Sequence, residues 1–148
     1  MNYMWDVTTG EVSKIEYEYD DKGNSTAYRE YNPDGSLRSN VIREYNAAGQ
    51  RTRDTFYNLS GDVFYSVTYE YDSAGNCTKT SHYDSDGKLS GYDITEYNFD
   101  GKPQKRSAYS GDDRLSQYTI YHRDEQGKIM SEDVHDADGN LIHSRTYN

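Results

Sequence analysis

The sequence predicts an all-β fold made of tandem antiparallel β-hairpins with a repeating unit of 26 residues. Three observations predict it: a short phrase that recurs along the chain, the strand-like composition between its copies, and a small supply of aliphatic residues. A repeated unit decides the whole architecture, so its period is the most informative feature. We expect an extended single sheet or a shallow spiral of hairpins, with a two-layer sandwich as the alternative.

The recurring phrase is an aromatic residue, Asp or Asn, two variable residues and Gly, as in YNPDG at residues 31–35. Its copies begin 14 and 12 residues apart in alternation as far as His135, and the last step, to Tyr147, is again 12, so the true unit is a pair of copies that spans 26 residues. An Asx residue, two right-handed residues and a glycine at positive φ form a type I turn with a bulge, which predicts a hairpin corner. In one copy Asp113 replaces the glycine, because Asp tolerates left-handed backbone. Full copies begin at Tyr19, Tyr31, Tyr45, Tyr57, Tyr71, Tyr83 and Tyr97, and degenerate or truncated ones at Trp5, Tyr109, Arg123, His135 and Tyr147.

The segments between corners have the composition of strands. They hold seven to nine residues, such as DVFYSVTYE and KLSGYDITE, and are rich in Thr, Tyr, Val and Ile. The 14-residue halves carry aliphatic residues such as Leu37 and Ile42, whereas the 12-residue halves are more polar. We therefore expect the first kind of strand to supply the core and the second a solvated face, with Pro103 marking weak strand pairing.

The composition favours one sheet over two packed layers. Leu, Ile, Val and Phe number twenty among 148 residues, while tyrosine alone numbers 17. Tyrosine rings bury a large area and leave their hydroxyls wet, so they can replace leucine in a half-exposed sheet. Residues 1–148 are predicted to form one hairpin-repeat domain, and the incomplete corner at Tyr147 suggests a fragment of a larger repeat protein.

Charge and cysteine content limit the classes of partner. With a net charge of -10 and a pI near 4.7, the chain repels phosphate backbones, so we expect no nucleic-acid partner. No apolar run is long enough for membrane insertion, and the lone Cys77 can form no internal disulfide. The opening MNYMWDVTTGEV does not resemble a secretory signal. We expect a secreted or cell-surface protein whose leader lies outside this chain, with a cytoplasmic location as the alternative.

Four corner tyrosines are the candidate ligand-binding residues. Successive corners are 12 or 14 residues apart, and both numbers are even. Because side chains alternate between the two faces of a strand, the corner tyrosines keep the same parity along the chain and could form a row of stacked rings. Aromatic rows on a sheet can stack on sugar rings or on another protein, and the other interpretation is cross-strand packing. The candidates are Tyr19, Tyr45, Tyr71 and Tyr97.

The sequence predicts no catalytic residue, no metal site and no cofactor. Asp-x-Asp-Gly strings at residues 84–87 and 136–139 lack the spacing of a calcium loop, and the four histidines are scattered. A carboxylate precedes five corner tyrosines, but repeated residues have like environments, whereas acid and base catalysis needs unlike ones. These carboxylates belong to Glu18, Glu30, Glu44, Glu70 and Glu96.

Two further expectations concern the tolerance of Gly91 to substitution and the edge of the sheet at the last strand. Gly91 lies outside the repeat register, so we expect it to tolerate Ala better than a corner glycine such as Gly75. The terminal segment NLIHSRTY has one full charge, on Arg145, and is expected to form an open sheet edge.

The stretches YEYDSAGN at residues 69–76 and YDSDGKL at residues 83–89 resemble the YD repeats of the RHS family. That family includes bacterial polymorphic toxins and insecticidal toxin components, in which the hairpins form a spiralling strip around a payload. The resemblance implies a non-enzymatic structural or adhesive module of a bacterial surface or toxin-related protein. The open edge of the terminal strand also favours self-association through sheet edges or pairing with neighbouring repeats of a longer chain. The chain lacks a self-cleaving segment, so no closed shell is expected from it alone.

A second resemblance is to bacterial cell-wall-binding repeats, in which phrases like DSDGK also close hairpins. It implies the alternative function, a carbohydrate- or cell-wall-binding module with a glycan partner. Those repeats use tryptophan-rich cages, and the only tryptophan here is Trp5.

Overall fold

The computed structural model describes residues 2–7 and 12–147, with side chains from residue 14 onward. Within this part of the chain there are twelve strands and no helix. Strands that are neighbours in the sequence are neighbours in the sheet, and the pairing is antiparallel, which confirms the predicted fold class as one open sheet. The strands are β1 (Asn2–Val7), β2 (Val12–Tyr19), β3 (Ser25–Tyr31), β4 (Leu37–Tyr45), β5 (Arg51–Tyr57), β6 (Val63–Tyr71), β7 (Cys77–Tyr83), β8 (Leu89–Tyr97), β9 (Pro103–Ser110), β10 (Leu115–Arg123), β11 (Ile129–Asp136) and β12 (Leu141–Thr146).

The chain divides into two compact units. Unit 1 comprises Met1–Thr68 and Tyr83–Lys88, and unit 2 comprises Tyr69–His82 and Leu89–Asn148. Unit 1 therefore contains β1 to β5 with most of β6, and unit 2 contains β8 to β12 with most of β7.

Ten corners in the described residues share one backbone geometry. In the first of these, Gly23 N–H donates to Asp20 O and Asp20 N–H donates to Asn24 O, both at 3.0 Å. The residue at the glycine position of the phrase is left-handed in every corner, with φ between 71° and 89° for the glycines and 62° for Asp113. These bonds confirm the predicted turn with a bulge, including the predicted role of Asp113. The corner predicted after Trp5 lies outside the described residues.

The Asx side chain explains why Asp or Asn opens a corner. In eight corners its Oδ1 accepts the backbone N–H groups two and four residues later. Asn46, for example, accepts from Ala48 N at 3.0 Å and Gln50 N at 2.9 Å. The side chain thus satisfies donors that the tight turn would leave without a backbone partner. Ser110 differs, because its hydroxyl donates to Asp112 Oδ1 at 2.5 Å, with the Arg114 carbonyl as a second, more distant acceptor at 3.2 Å.

The core is thin and consists of small side chains. Among residues 14–147, the buried ones are Ala27, Val41, Asp54, Ser66, Val67, Ser81 and Ser107. Four of the seven lie in β3, β5, β7 and β9, the strands of the 12-residue halves, so the prediction that these strands form a solvated face is wrong. In a single sheet every inner strand has two neighbours, and a small residue is covered by their larger side chains. Ala27, which lies between Glu18 and Ile42 in the register, is 2% exposed for this reason.

Gly91 occupies a close approach between two backbones. It pairs with Ser110 across β8 and β9, and a Cβ added there would lie 2.6 Å from the Tyr109 carbonyl oxygen. A Cβ on Gly111 would likewise collide with the Leu89 carbonyl. A corner glycine such as Gly87 has open space around its Cβ position, so the structure gives no steric support to the expectation that Gly91 tolerates Ala better, and that expectation stays a prediction. A strand glycine of this kind marks a place where only a backbone without Cβ fits.

Candidate functional site

The four candidate tyrosines lie at the ends of β2, β4, β6 and β8. Tyr19 is 47% exposed and its ring lies 6.2 Å from that of Tyr17, while the other three are half-buried. The Tyr45 hydroxyl donates to the Ser25 carbonyl at 2.9 Å. The Tyr97 hydroxyl donates to the Cys77 carbonyl at 2.7 Å. Two of the candidates therefore use their hydroxyls to hold the start of the preceding strand.

Arg123 occupies the same place in the next repeat. Its Nη2 and Nε donate to the Pro103 carbonyl at 2.9 and 3.3 Å, again twenty residues back. Pro103 has no N–H to offer, but its carbonyl serves this contact at the first position of β9, where proline is tolerated. We call these three contacts the corner clasps: Tyr45 to Ser25, Tyr97 to Cys77 and Arg123 to Pro103. The sequence placed Arg123 in the repeat but gave no sign that guanidinium could replace phenol.

The clasps alter what the tyrosines can offer to a ligand. Burial raises the pKa of Tyr97, with the carboxylate of Asp72 contributing, so this hydroxyl stays protonated and donates. A ligand would meet the ring faces of Tyr45 and Tyr97, since their hydroxyls already bind backbone. Ligand binding by Tyr19, Tyr45, Tyr71 and Tyr97 stays a prediction.

A row of larger side chains crosses unit 1 at positions that the corner pattern does not mark. Tyr17, Tyr28, Val41, Phe56 and Tyr65 are successive partners across β2 to β6. The rings of Tyr17 and Tyr28 lie 5.4 Å apart and those of Phe56 and Tyr65 lie 5.5 Å apart, with Val41 6% exposed between them. Such cross-strand pairs stabilise a sheet directly. This row is the main apolar packing of unit 1.

Unit 2 repeats a stack of a lysine and two rings. Lys79 Nζ lies 4.5 Å from the centre of the Tyr92 ring, which stacks on Tyr109 at 4.9 Å. One repeat later, Lys105 lies 4.8 Å from the centre of the Tyr118 ring, which stacks on His135 at 4.9 Å. Lysine over an aromatic face is attracted by the ring quadrupole. His135 thus replaces a corner tyrosine in packing.

Unit 2 also carries a polar groove. One cavity of about 320 Å³ and a second of about 260 Å³ share Asp93, Arg106 and Tyr121. Arg106 Nη2 donates to Asp93 Oδ2 at 3.0 Å, and this bond raises the pKa of Arg106 above its usual value. We call this surface the β8–β10 groove; its other lining residues are Cys77, Thr80, Thr95, Tyr97, Pro103, Ala108, Gln117, Tyr118 and Thr119.

A Ser–Asp–His cluster joins β10, β11 and β12. Asp133 Oδ2 lies 2.8 Å from His122 Nε2, and Asp133 Oδ1 accepts the Ser144 hydroxyl at 2.6 Å. In a hydrolytic triad the imidazole lies between the hydroxyl and the carboxylate, because it must take the hydroxyl proton. Here the carboxylate is in the middle, so the cluster cannot activate Ser144 in that way. Its effect is to tie three strands together.

Asp133 makes the terminal hairpin sensitive to acid. The Ser144 hydroxyl, and then His122, lower the pKa of Asp133 below its usual value. A carboxyl group whose pKa is lower when folded stabilises the fold above its unfolded pKa, and this stability is lost as pH falls through the folded pKa. We expect the amides of β12 to lose hydrogen-exchange protection below about pH 4. In Asp133→Asn they should lose most of this pH dependence, whereas the same steep loss in that variant would contradict the assignment.

Neither a metal centre nor a membrane-spanning helix is found in the described part of the chain. No group of three or more His, Cys, Asp or Glu residues there could hold a metal ion. No helix among those residues is long and apolar enough to cross a membrane.

The fold and the clasps define a tandem antiparallel β-hairpin repeat protein. No protein-family model and no curated protein matches the sequence. Among solved structures, the chain is similar to part of the GtfA/B complex bound to UDP and GlcNAc, with 14% identity and a TM-score of 0.34 over 82% of this chain. It is similar to part of a TcdB2-TccC3-Cdc42 structure, with 12% identity and a TM-score of 0.30 over 88% of this chain.

A third similar structure is a porin-like protein from Bacteroides uniformis, with 11% identity and a TM-score of 0.30. That match covers 97% of this chain and 93% of the other. By contrast, this chain spans only 24% of the GtfA/B chain and 12% of the TcdB2-TccC3 chain.

Proposed function

We propose that this chain is a non-enzymatic structural or adhesive repeat module of a bacterial surface or toxin-related protein, secreted or displayed at the cell surface. The observation that carries the proposal is the corner clasp. A residue at one position of the 26-residue unit binds the start of the preceding strand in three repeats, through phenol or guanidinium. The resemblance of the corners to YD repeats supports the bacterial surface or toxin context.

The repeat contacts suit a scaffold because each hairpin stabilises the next. The apolar core is small, so stability depends on many like contacts between neighbours, as in other repeat proteins. Cross-strand ion pairs add to them: Arg29 Nη1 lies 2.5 Å from Glu18 Oε1, and Arg38 Nη1 lies 3.1 Å from Glu30 Oε1. Glu18 and Glu30 thus pair with arginines of neighbouring strands.

Removing clasp hydroxyls tests the scaffold role. Tyr45→Phe and Tyr97→Phe keep the rings but leave the carbonyls of Ser25 and Cys77 without their donor. We expect each to lower the free energy of unfolding by about 1 kcal/mol in urea titrations. Tyr19→Phe, at a more exposed corner, should change it by only a few tenths of a kcal/mol, about the usual effect at a surface position.

The clasp proposal would be contradicted if all three phenylalanine variants had the same stability as the wild-type chain. A glycan array probed with wild-type protein and with Tyr45→Ala addresses the alternative, carbohydrate binding by the corner tyrosines. Binding that depends on Tyr45 would favour that alternative over the scaffold.

The outer edge of β12 is the proposed site of pairing with another strand, from a second copy or a neighbouring repeat. β12 is last in the sheet order, and Leu141 and Ile142 are 57% and 59% exposed. Unpaired backbone groups on an apolar edge favour such pairing, and an edge lysine opposes it. We expect sedimentation equilibrium to show association of the 148-residue chain at high concentration and less of it for Ile142→Lys. Met130→Lys, one strand inward, is the matched control, and a strictly monomeric wild-type chain would disprove the pairing.

A further inference from the structure

We propose that the β8–β10 groove of unit 2 binds one neutral pyranose ring of a glycan. This role goes beyond the scaffold function and uses residues other than the proposed corner tyrosines, apart from Tyr97. Sugar titration tests the groove, whereas the free energy of unfolding of the clasp variants tests the scaffold function. Either proposal can therefore fail while the other holds.

The strand register creates the floor of the groove. Asp93, Ala108 and Gln117 pair across β8, β9 and β10 and form one row of the sheet. Thr95, Arg106 and Thr119 form a second row, two residues away along each strand. Alternate rows point to the same face, so both sets line one surface. Ala108 and the threonines are small, which leaves space between the longer side chains. The cavities of about 320 and 260 Å³ occupy that space.

The Asp93–Arg106 pair supplies the polar recognition. Its 3.0 Å bond holds an acceptor and a donor side by side, and the Arg106 side chain is 54% exposed, so its guanidinium reaches solvent. Guanidinium has five N–H donors, and carboxylate oxygens accept several bonds. Adjacent sugar hydroxyls can each donate and accept, so one can donate to Asp93 while its neighbour accepts from Arg106. Thr95, Gln117 and Thr119 offer further donors and acceptors around them.

Two tyrosines supply the apolar surface. Tyr121 lines both cavities, and Tyr97 lines the larger one with its hydroxyl fixed on the Cys77 carbonyl. An aromatic ring packs well against the C–H face of a pyranose. The larger cavity lies at the low end of the range for small-molecule sites, roughly 300 to 1,000 Å³, which suits a single ring.

The charge of the groove favours a neutral sugar. Arg106 is already paired with Asp93, and the protein as a whole carries -10, so a phosphate or an acidic sugar is repelled. His82 Nε2 also lies 3.6 Å from Asp93 Oδ2, so an imidazole is a further polar group at this point.

The test is an NMR titration of the 148-residue chain with glucose, galactose, N-acetylglucosamine and, separately, glucuronate. We expect at least one neutral sugar to shift the amides of Thr95, Arg106, Thr119 and Tyr121. Arg106→Gln should weaken that binding about tenfold or more, since a bond from a charged donor is lost. Arg114→Gln is the matched control, because Arg114 is an exposed corner arginine paired with Asp112, and it should bind as wild type does.

Variants of Tyr121 separate ring packing from hydrogen bonding. Tyr121→Phe keeps the ring and should keep binding, whereas Tyr121→Ala should lose it; thermal melts of both variants check that the fold persists. Binding by none of the neutral sugars, binding of glucuronate alone, or equal binding by Arg106→Gln and wild type would each overturn the proposal. Chemical-shift changes confined to the row of larger side chains in unit 1, from Tyr17 across to Tyr65, would also overturn it.

Discussion

Gly91→Ala is expected to lower the free energy of unfolding by roughly 2 to 3 kcal/mol, the upper part of the range for overpacked sites. The new Cβ would lie 2.6 Å from the Tyr109 carbonyl oxygen, which belongs to the backbone of β9 and cannot rotate away. β8 and β9 must separate locally to admit it, and the pairing of Gly91 with Ser110 would weaken. Urea unfolding followed by circular dichroism measures the change.

The matched comparison is Gly87→Ala, at a corner. Gly87 has φ of 76°, and a Cβ there would have no heavy atom within 4 Å, so the cost is backbone strain alone, roughly 1 kcal/mol. Ser90→Ala, beside Gly91 and exposed, should have little effect. If Gly87→Ala were more destabilising than Gly91→Ala, steric contact at Gly91 would not be the dominant effect.

Deletion of residues 97–122 is expected to leave a folded β-protein that is less stable by roughly 1 to 4 kcal/mol. This block is one complete 26-residue unit inside unit 2, and its removal joins Glu96 to Arg123. Arg123 then takes the place of Tyr97 and can bind the Cys77 carbonyl, so the corner sequence and the clasp are both restored. The expected loss follows from the average stability per residue of a domain. Circular dichroism and urea titration of the shortened chain provide the measurement.

Deletion of residues 97–108 is the control, because it removes one 12-residue half and breaks the alternation of steps. Every later corner then moves to the other end of the strands, and β8 meets β10, which is a strand of its own kind, instead of β9. We expect this chain to be much less stable than the one that lacks a full unit. Equal loss of structure in both chains would mean that stability does not depend on contacts between neighbouring repeats.

The corners were predictable because their conformation is determined by residues that are adjacent in the sequence. An Asx acceptor, two right-handed residues and a left-handed glycine close the turn without help from the rest of the chain. Asp113 was predicted for the same reason, and its φ of 62° confirms the substitution. Because each corner reverses the chain, successive strands were expected to alternate in direction, and the small number of aliphatic residues favoured one sheet.

The positions of Gly91, Arg123 and the β8–β10 groove depend on tertiary structure. Each results from contact between segments that are distant in the sequence, as between Gly91 and Ser110 or between Arg123 and Pro103, or from three strands whose bulges set the register. A bulge changes which residues share a face, so side-chain parity counted along the chain does not give the partners across the sheet. The sequence by itself determined the turns, the strands and the period of this protein. Only the tertiary structure decided which small residues are buried and where Asp93, Arg106 and Tyr121 meet, because those properties depend on the register between strands.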